Sequence, residues 1–283
     1  MFTSNPFSEL SAIISPAIMQ AYIILMVLLV IGGTILDMVH KKSAQYFFEN
    51  AKKAQKSAKR TVSSGEKASI AIKVLANEVL TSGEFCNPRR RLSHLLTMYG
   101  FIIFVVTTAI MIFGYSTPAT STPTTLPLLW HLGALMLAAG GYWFWFSIRV
   151  DVSAEGLTWY RIERADLFIL SLLATSTFAL LWSFAQSIGI AGWSTLFLVL
   201  FIVSSTTLFG TVFWSKFAHM FFKPAAAFQK RVTRADGSRE NLPAEYDLTD
   251  PAVQAKFPDI PEYMGKNPAY MGPGIRRESA NNY

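Results

Sequence analysis

The chain has 283 residues, of which 52% are hydrophobic and 15% are charged, and its formal net charge is +7. A soluble domain usually carries about 25% charged residues, so this composition argues against an ordinary soluble domain. The single cysteine, Cys86, excludes an internal disulfide and any iron–sulfur cluster ligated by cysteines of this chain alone.

Five apolar blocks are long enough to cross a membrane. A span needs about 20 mostly apolar residues to cover the hydrocarbon core of ~30 Å. No block contains a lysine or arginine, and such a residue costs ~2.5–3.5 kcal/mol at the bilayer centre. The blocks cover residues 16–39, 95–115, 126–148, 167–187 and 193–215. We therefore predict an all-α integral membrane bundle of five transmembrane helices.

The basic residues predict how these helices are oriented. Of the 25 lysines and arginines, 12 lie between residues 41 and 91, three between 149 and 164, and ten between 216 and 277. The connecting segments on the other side contain none. The positive-inside rule then places the N-terminus outside and the C-terminus in the cytoplasm. Topology and attraction to anionic membrane lipids explain the charge, so no nucleic-acid partner is needed.

The region after the first helix predicts further helices at the membrane boundary. The first 15 residues lack the basic segment of a cleaved signal peptide, so we expect the first helix to stay in the mature protein. The loop 41–60 has a helix-favouring composition, and a second helical stretch is expected over 66–80. The apolar face of the first loop helix would contain Tyr46, Phe47, Ala51 and Ala54. This basic amphipathic helix either lies in the membrane interface or packs on the protein's own cytoplasmic face.

These elements divide the chain into four parts. They are an outside segment with the first helix (1–40), a basic cytoplasmic loop with an amphipathic helix (41–93), a four-helix transmembrane part (94–222) and an extended cytoplasmic tail (223–283).

The tail from residue 224 onwards contains seven of the 13 prolines. Proline lacks a backbone donor and fixes φ, so we expect extended peptide here. It is either disordered or docks a soluble partner through residues 257–277. The docking interpretation uses aromatic and basic anchors, which are Tyr263, Tyr270, Met271, Arg276 and Arg277.

Four histidines are the main candidates for binding a cofactor. His94 begins the second predicted span and His219 ends the fifth, so both are expected at the cytoplasmic boundary together with His40. His131 is expected near the outside face. Two axial imidazoles from separate helices can hold a haem b, and His94 with His219 are the candidate pair. The cations that could neutralise the haem propionates are Arg89, Arg90, Arg91 and Lys216. The other interpretation is that these histidines are polar anchors at helix ends.

Other polar or small residues suggest structural roles. Asp166 is expected to cap the fourth span. The glycine pairs Gly32-Gly33 and Gly140-Gly141 are expected to permit close contact between helices.

Several of these stretches also carry a resemblance to a known family. RRLSHLLTMYGF (90–101), LLWHL (128–132), RADLF (164–168) and SKFAHM (215–220) resemble membrane haem b subunits of respiratory complexes. Examples are the nitrate reductase gamma subunit and the C subunit of the quinone-interacting membrane oxidoreductase. DMVHKKSAQYFFENAKKAQKSAKR (37–60) and TSGEFCN (81–87) are most similar to the membrane anchor associated with adenylylsulfate reductase. The resemblance covers roughly residues 35–228.

The resemblance implies a function in electron transfer. Such a subunit, in the bacterial cytoplasmic (inner) membrane, exchanges electrons between the quinone pool and a soluble flavin/iron–sulfur enzyme that acts on adenylylsulfate. His94 and His219 match the cytoplasmic haem pair. One haem b is expected, because the predicted fifth span has no second histidine to face His131. The main alternative is a purely structural, haem-free anchor; a transporter is disfavoured because the spans lack central charges and internal repeats.

Overall fold

The computed structural model describes residues 1–83, 85, 87–151, 155–239, 246, 249–259 and 261. Of the described residues, 74% are helical, and they form no β-strand. The α-helices are α1 (Pro6–Leu10), α2 (Pro16–His40), α3 (Ser43–Lys56), α4 (Ser64–Val74), α5 (Pro88–Gly114), α6 (Thr125–Trp143), α7 (Leu167–Ser187), α8 (Ala191–Gly210), α9 (His219–Ala235) and α10 (Pro251–Lys256). π-helical turns continue α4 to Leu80 and α6 to Ile148, and a 3₁₀ turn, Arg164–Asp166, leads into α7.

Four described helices are long and apolar enough to cross a membrane: α2, α5, α7 together with its 3₁₀ turn, and α8. They correspond to the first, second, fourth and fifth predicted spans. The predicted third span corresponds to α6 and its π-helical continuation, and α6 is not among these four. It nevertheless packs between α5 and α7. The all-helical, membrane-type fold is therefore confirmed.

Local sequence explains where several helices begin. Proline occupies the first turn of α2 and of α5, where its missing N–H would have no partner within the helix. The Asn87 side chain accepts from the backbone N–H of Arg89 at 2.9 Å and so caps α5. Ser63 caps α4 in the same way by accepting from Glu66 N at 3.2 Å.

Helices α5 to α8 pack tightly because small residues line their contacts. A Cβ atom added to Gly100 of α5 would lie 2.6 Å from the backbone nitrogen of Leu137 in α6. A Cβ on Gly140 would lie 2.7 Å from the carbonyl oxygen of Ser93, and Ser93 Oγ donates to the Gly140 carbonyl at 2.8 Å. Gly141 is equally close to Leu173 of α7. The predicted role of Gly140-Gly141 in helix contact is confirmed.

Helix α2 is attached more loosely. Only three of its side chains are buried: Met19, Met26 and Asp37. Gly33 approaches Val212 closely, but a Cβ added to Gly32 would meet nothing within 4 Å. The contact role predicted for the pair therefore holds for Gly33 and is wrong for Gly32, because Gly32 faces away from the neighbouring helices.

The expected end of the fifth span was wrong. Helix α8 ends at Gly210 rather than near residue 215, and turns cover the residues up to α9. Ser215 Oγ accepts from Phe217 N at 3.2 Å in this connection, a local bond that competes with helix continuation. His219 therefore begins α9 instead of ending the membrane helix.

Helices α3, α4 and α9 form a layer at one end of the bundle. We call this the basic end, because it carries Lys41, Arg91 and Lys216; α1 lies at the opposite end. Arg60 Nε donates to the Ala235 carbonyl at 2.6 Å, and Lys59 N donates to the Asp236 carbonyl at 2.8 Å. The helices predicted over 41–60 and 66–80 are confirmed as α3 and as α4 with its π-helical turn.

The tail was predicted to be extended, but its described part contains helices. α9 continues to Ala235 with Pro224 inside it, and α10 covers Pro251–Lys256. Pro224 lies inside α9, where it lacks the N–H that would bond to the Met220 carbonyl. Most of the proposed docking segment, including Tyr263, Tyr270, Met271, Arg276 and Arg277, lies outside the described residues, as does Cys86.

Candidate functional site

His94 lies in the second turn of α5, at the basic end of the bundle. A hydrogen bond of 2.9 Å joins its Nδ1 to Ser82 Oγ. Its ring packs against the Phe85 ring, with the centroids 4.9 Å apart. Two cations cover the same phenylalanine: Arg90 Cζ and Lys223 Nζ each lie 5.3 Å from its centroid. His94 is thus a partly buried imidazole in an aromatic and cationic environment.

His219 lies at the first residue of α9, also at the basic end. Its Nδ1 donates to the carbonyl oxygen of Lys216. Its ring meets the edge of Phe168 of α7 at a centroid distance of 5.8 Å. Phe168 in turn contacts Phe217 at 5.4 Å, and Phe217 contacts Phe101 of α5 at 6.4 Å. This aromatic cluster connects α9 to the core of the bundle.

His94 and His219 lie at the same end of the bundle, but their rings pack against different phenylalanines. Within the described part of the chain, His94 packs on Phe85 and His219 on Phe168. Among the cations that could neutralise haem propionates, Arg90 lies over the Phe85 ring. Arg91 Nε donates to the Thr81 carbonyl at 2.7 Å, so this arginine holds the loop before α5. Lys216 is exposed beside His219.

Each residue of this pair offers an imidazole nitrogen, the type of donor atom that ligates haem iron. A ligating histidine usually donates its other ring N–H to a carbonyl or carboxylate. The Nδ1 bond of His219 to a carbonyl follows this arrangement and assigns Nε2 as the atom that would bind iron. The described residues contain no cluster of three or more His, Cys, Asp or Glu side chains suited to a bare metal ion.

The remaining histidines have other environments. His131 is completely buried in α6. Its Nδ1 donates to the Pro127 carbonyl at 2.6 Å, and in the neutral ring Nε2 accepts from the Ser183 hydroxyl of α7 at 2.7 Å. Both ring nitrogens thus join α6 to α7. His40, at the end of α2, contacts the Phe213 ring at 5.3 Å.

An ion pair that the sequence did not reveal lies at the basic end. Arg149 is 0% exposed and pairs with Asp166, the shortest contact being 2.5 Å from Nη2 to Oδ2. The guanidinium also donates to the Thr158 carbonyl at 2.7 Å and the Arg161 carbonyl at 2.6 Å. Its Cζ lies 4.3 Å from the Trp145 ring centroid. Arg149 therefore closes the connection between α6 and α7.

Asp166 has a second role besides the predicted one. Its side chain makes no cap bond to α7; it accepts from Glu163 N at 2.8 Å and pairs with Arg149. Glu163 and Asp166 form a capping box at the 3₁₀ turn that leads into α7, so the predicted capping role holds at this turn, and Asp166 also pairs with Arg149, 17 residues away.

A cavity of about 570 Å³ lies between α2 and the helices α5 and α8. Almost all of its lining is apolar, and none of the four histidines contributes to it. Tyr22 is the main polar side chain in the lining, and its hydroxyl is used: it contacts Ser205 Oγ at 2.8 Å and Thr206 Oγ1 at 3.0 Å. The cavity is therefore distinct from the two-histidine site.

Comparison with protein families, with curated proteins and with solved structures finds no match for this chain. The resemblance to haem b membrane subunits stays a prediction. The geometry defines a class only: an α-helical bundle of membrane type with a polar helical layer at its basic end.

Proposed function

We propose that the chain is a membrane anchor and electron-transfer subunit. It holds a soluble flavin/iron–sulfur oxidoreductase of the adenylylsulfate reductase type at the cytoplasmic face of a bacterial inner membrane, and it links that enzyme to the quinone pool. Chemistry on the sulfur substrate belongs to the partner. The proposal rests on the sequence resemblance, and the observation that supports it best is the pair His94 and His219 at the same, basic end of the bundle.

The proposed topology has five spans with the N-terminus outside. α6 with its π-helical turn is the third span, because it lies between α5 and α7 and contains no charged residue. The basic end then faces the cytoplasm, as the lysine and arginine distribution predicts. α3, α4 and α9 become a cytoplasmic layer.

One haem b would be held by His94 and His219, with Arg90, Arg91 and Lys216 available to its propionates. The haem would supply one-electron redox chemistry. The protein's own part is to orient both imidazoles through Nδ1, using the Ser82 hydroxyl and the Lys216 carbonyl. The phenylalanines packed on both rings would limit access of water, a means by which proteins tune a redox centre.

The cytoplasmic layer would carry the docking surface for the enzyme. Arg231 Nε donates to Glu78 Oε1 at 2.6 Å, and the Arg60 guanidinium forms two bonds to the Glu66 carboxylate, at 2.9 and 2.5 Å. These bonds join α9 to the π-helical turn after α4, and the 41–60 region to α4. A fixed basic layer of this kind suits a partner that must be held at one distance from the membrane.

A haem-free structural anchor is the second candidate. The observation that favours it is that the two histidine rings pack on different side chains, His94 on Phe85 and His219 on Phe168. In that case both histidines only join the basic-end layer to the bundle.

The reduced-minus-oxidised absorption spectrum of the purified full-length subunit distinguishes the two candidates. We expect a haem b signal that His94→Ala and His219→Ala each remove, since each would take away an axial ligand. His40→Ala and His131→Ala serve as matched controls and should retain the signal. A spectrum without any haem signal in the unmodified subunit would support the structural anchor, and two haems per chain would contradict the one-haem count.

A further inference from the structure

The 570 Å³ cavity extends along most of α2. Its lining residues on this helix run from Ile18 to Ile31, which corresponds to ~20 Å along the helix axis. Phe7 of α1 contributes to the lining, and so does Phe221 of α9. The cavity thus reaches from near α1 towards the basic end. It is longer than a single membrane leaflet, which is ~15 Å of hydrocarbon, half of ~30 Å.

The cavity exists because α2 contacts the bundle at separate points and lies away from it between them. Near the α1 end, Gln20 Nε2 donates to the Ile112 carbonyl of α5 at 3.3 Å. Two residues on, the Tyr22 hydroxyl bonds to α8. Towards the basic end, Gly33 meets Val212. Between these contacts the side chains of α2 do not fill the space, and the gap persists along the helix.

The lining restricts the occupant to a long hydrocarbon. An apolar cavity stays dry, and one of ~150 Å³ holds a benzene-sized molecule, so a cavity of about 570 Å³ needs a much larger apolar guest. The lining contains no lysine or arginine that could bind a phosphate inside it.

We propose that this cavity binds the isoprenoid chain of a membrane quinone. The inference rests on the proposed function, and it names where the quinone chain is held. A phospholipid acyl chain is confined to its own leaflet by the headgroup, whereas an isoprenoid chain can follow a channel longer than one leaflet. The methyl branches of the chain would pack against the ring side chains of the lining, which are Phe101, Phe104, Phe201 and Phe209.

The first test measures the lipid that purifies with the protein. The full-length chain is extracted from its membrane in mild detergent, and isoprenoid quinone and phospholipid are quantified per chain. Ala109 of α5 lines the cavity, whereas Ala139 of α6 is exposed on the outer surface. We expect Ala109→Phe to lower bound quinone by about fivefold or more, because the ring takes the volume that the chain needs. Ala139→Phe should leave the quinone content unchanged.

The second test uses the unmodified protein with a photoreactive isoprenoid analogue. We expect the label on peptides of α2, α5 and α8, which line the cavity, and we expect competition by unlabelled isoprenoid quinone. Phospholipid in place of quinone, equal quinone content in both variants, or labelling outside these helices would overturn the proposal. The haem spectrum of the same samples reports separately on the proposed function. Quinone bound without haem would retain this inference and reject the haem relay, and haem without quinone would do the reverse.

Discussion

Helix α2 and the four helices α5–α8 are all apolar, but they are held by different contacts. Backbone approaches at Gly100 and Gly140 bring α5 and α6 together over much of their length. α2 instead touches its neighbours at separate points, such as the Tyr22 hydroxyl and Gly33, and a cavity remains beside it. The hydrophobic effect cannot select between these arrangements in a membrane, because lipid is as apolar as the helices. Small residues and polar bonds therefore decide how close two helices come.

The buried ion pair should show the largest effect within the tight part of the bundle. Arg149→Met leaves the Asp166 carboxylate without its partner and three carbonyls without a donor. Breaking a buried pair in this way costs ~3–5 kcal/mol. We expect a loss of this size in the free energy of unfolding, measured by denaturant titration in micelles. Arg164→Met, at an exposed arginine in the same connection, is the control and should change the stability little.

The glycine contacts should show the next largest effect. A side chain at Gly100 must push α6 away, because the backbone of Leu137 and the Gly133 carbonyl are within 3 Å of the added Cβ. Overpacking of this kind costs ~1–3 kcal/mol. We expect Gly100→Leu to destabilise the bundle by at least this amount in the same titration. Gly32→Leu, whose side chain would point into open space on α2, should leave the free energy of unfolding unchanged. An equal loss of stability in both variants would contradict the difference in packing between α2 and the helices α5 and α6.

The polar contact that holds α2 should contribute less. Tyr22→Phe removes a hydroxyl that bonds to Ser205 Oγ at 2.8 Å, and such a bond contributes ~0.5–1.5 kcal/mol. We expect faster amide exchange in α2 with little change in α5 and α6. A double-mutant cycle with Ser205→Ala measures the coupling between the two groups. Zero coupling would mean that α2 is positioned by other contacts.

The smallest effect concerns the basic-end layer and depends on pH. The bonds from Arg60 lower the pKa of the Glu66 carboxyl below its ordinary value. The stabilisation is therefore present above the unfolded-state pKa and is lost as the pH falls through the lower, folded-state value. Relative to the intrinsic exchange rate at each pH, we expect the amides of α4 to be less protected below about pH 4, and we expect Glu66→Gln to remove that pH dependence. Because both side chains are partly exposed, high salt should weaken the effect.

The candidate site was only partly predictable. His94 and His219 stood out in the sequence because ionisable residues near membrane spans are few. Their expected placement at the ends of antiparallel spans was wrong for His219, since α8 stops at Gly210 and α9 begins at the histidine. Helix ends depend on local bonds and on packing against α3 and α4, and neither is visible in the apolar pattern. The Arg149–Asp166 pair was missed for the same reason: it joins residues from two elements.

The sequence alone determined that this is an all-helical protein of membrane type, and it located the amphipathic helix α3. Long uncharged blocks have no other stable solution in a bilayer, because each helix satisfies its own backbone bonds. Only the tertiary structure decided how far apart the helices lie, where the cavity beside α2 opens and which charges are buried together. Those features depend on side chains from distant parts of the chain, such as Tyr22 with Ser205 and Arg149 with Asp166. Hydrophobic periodicity describes one helix at a time, whereas these pairings depend on how the helices pack.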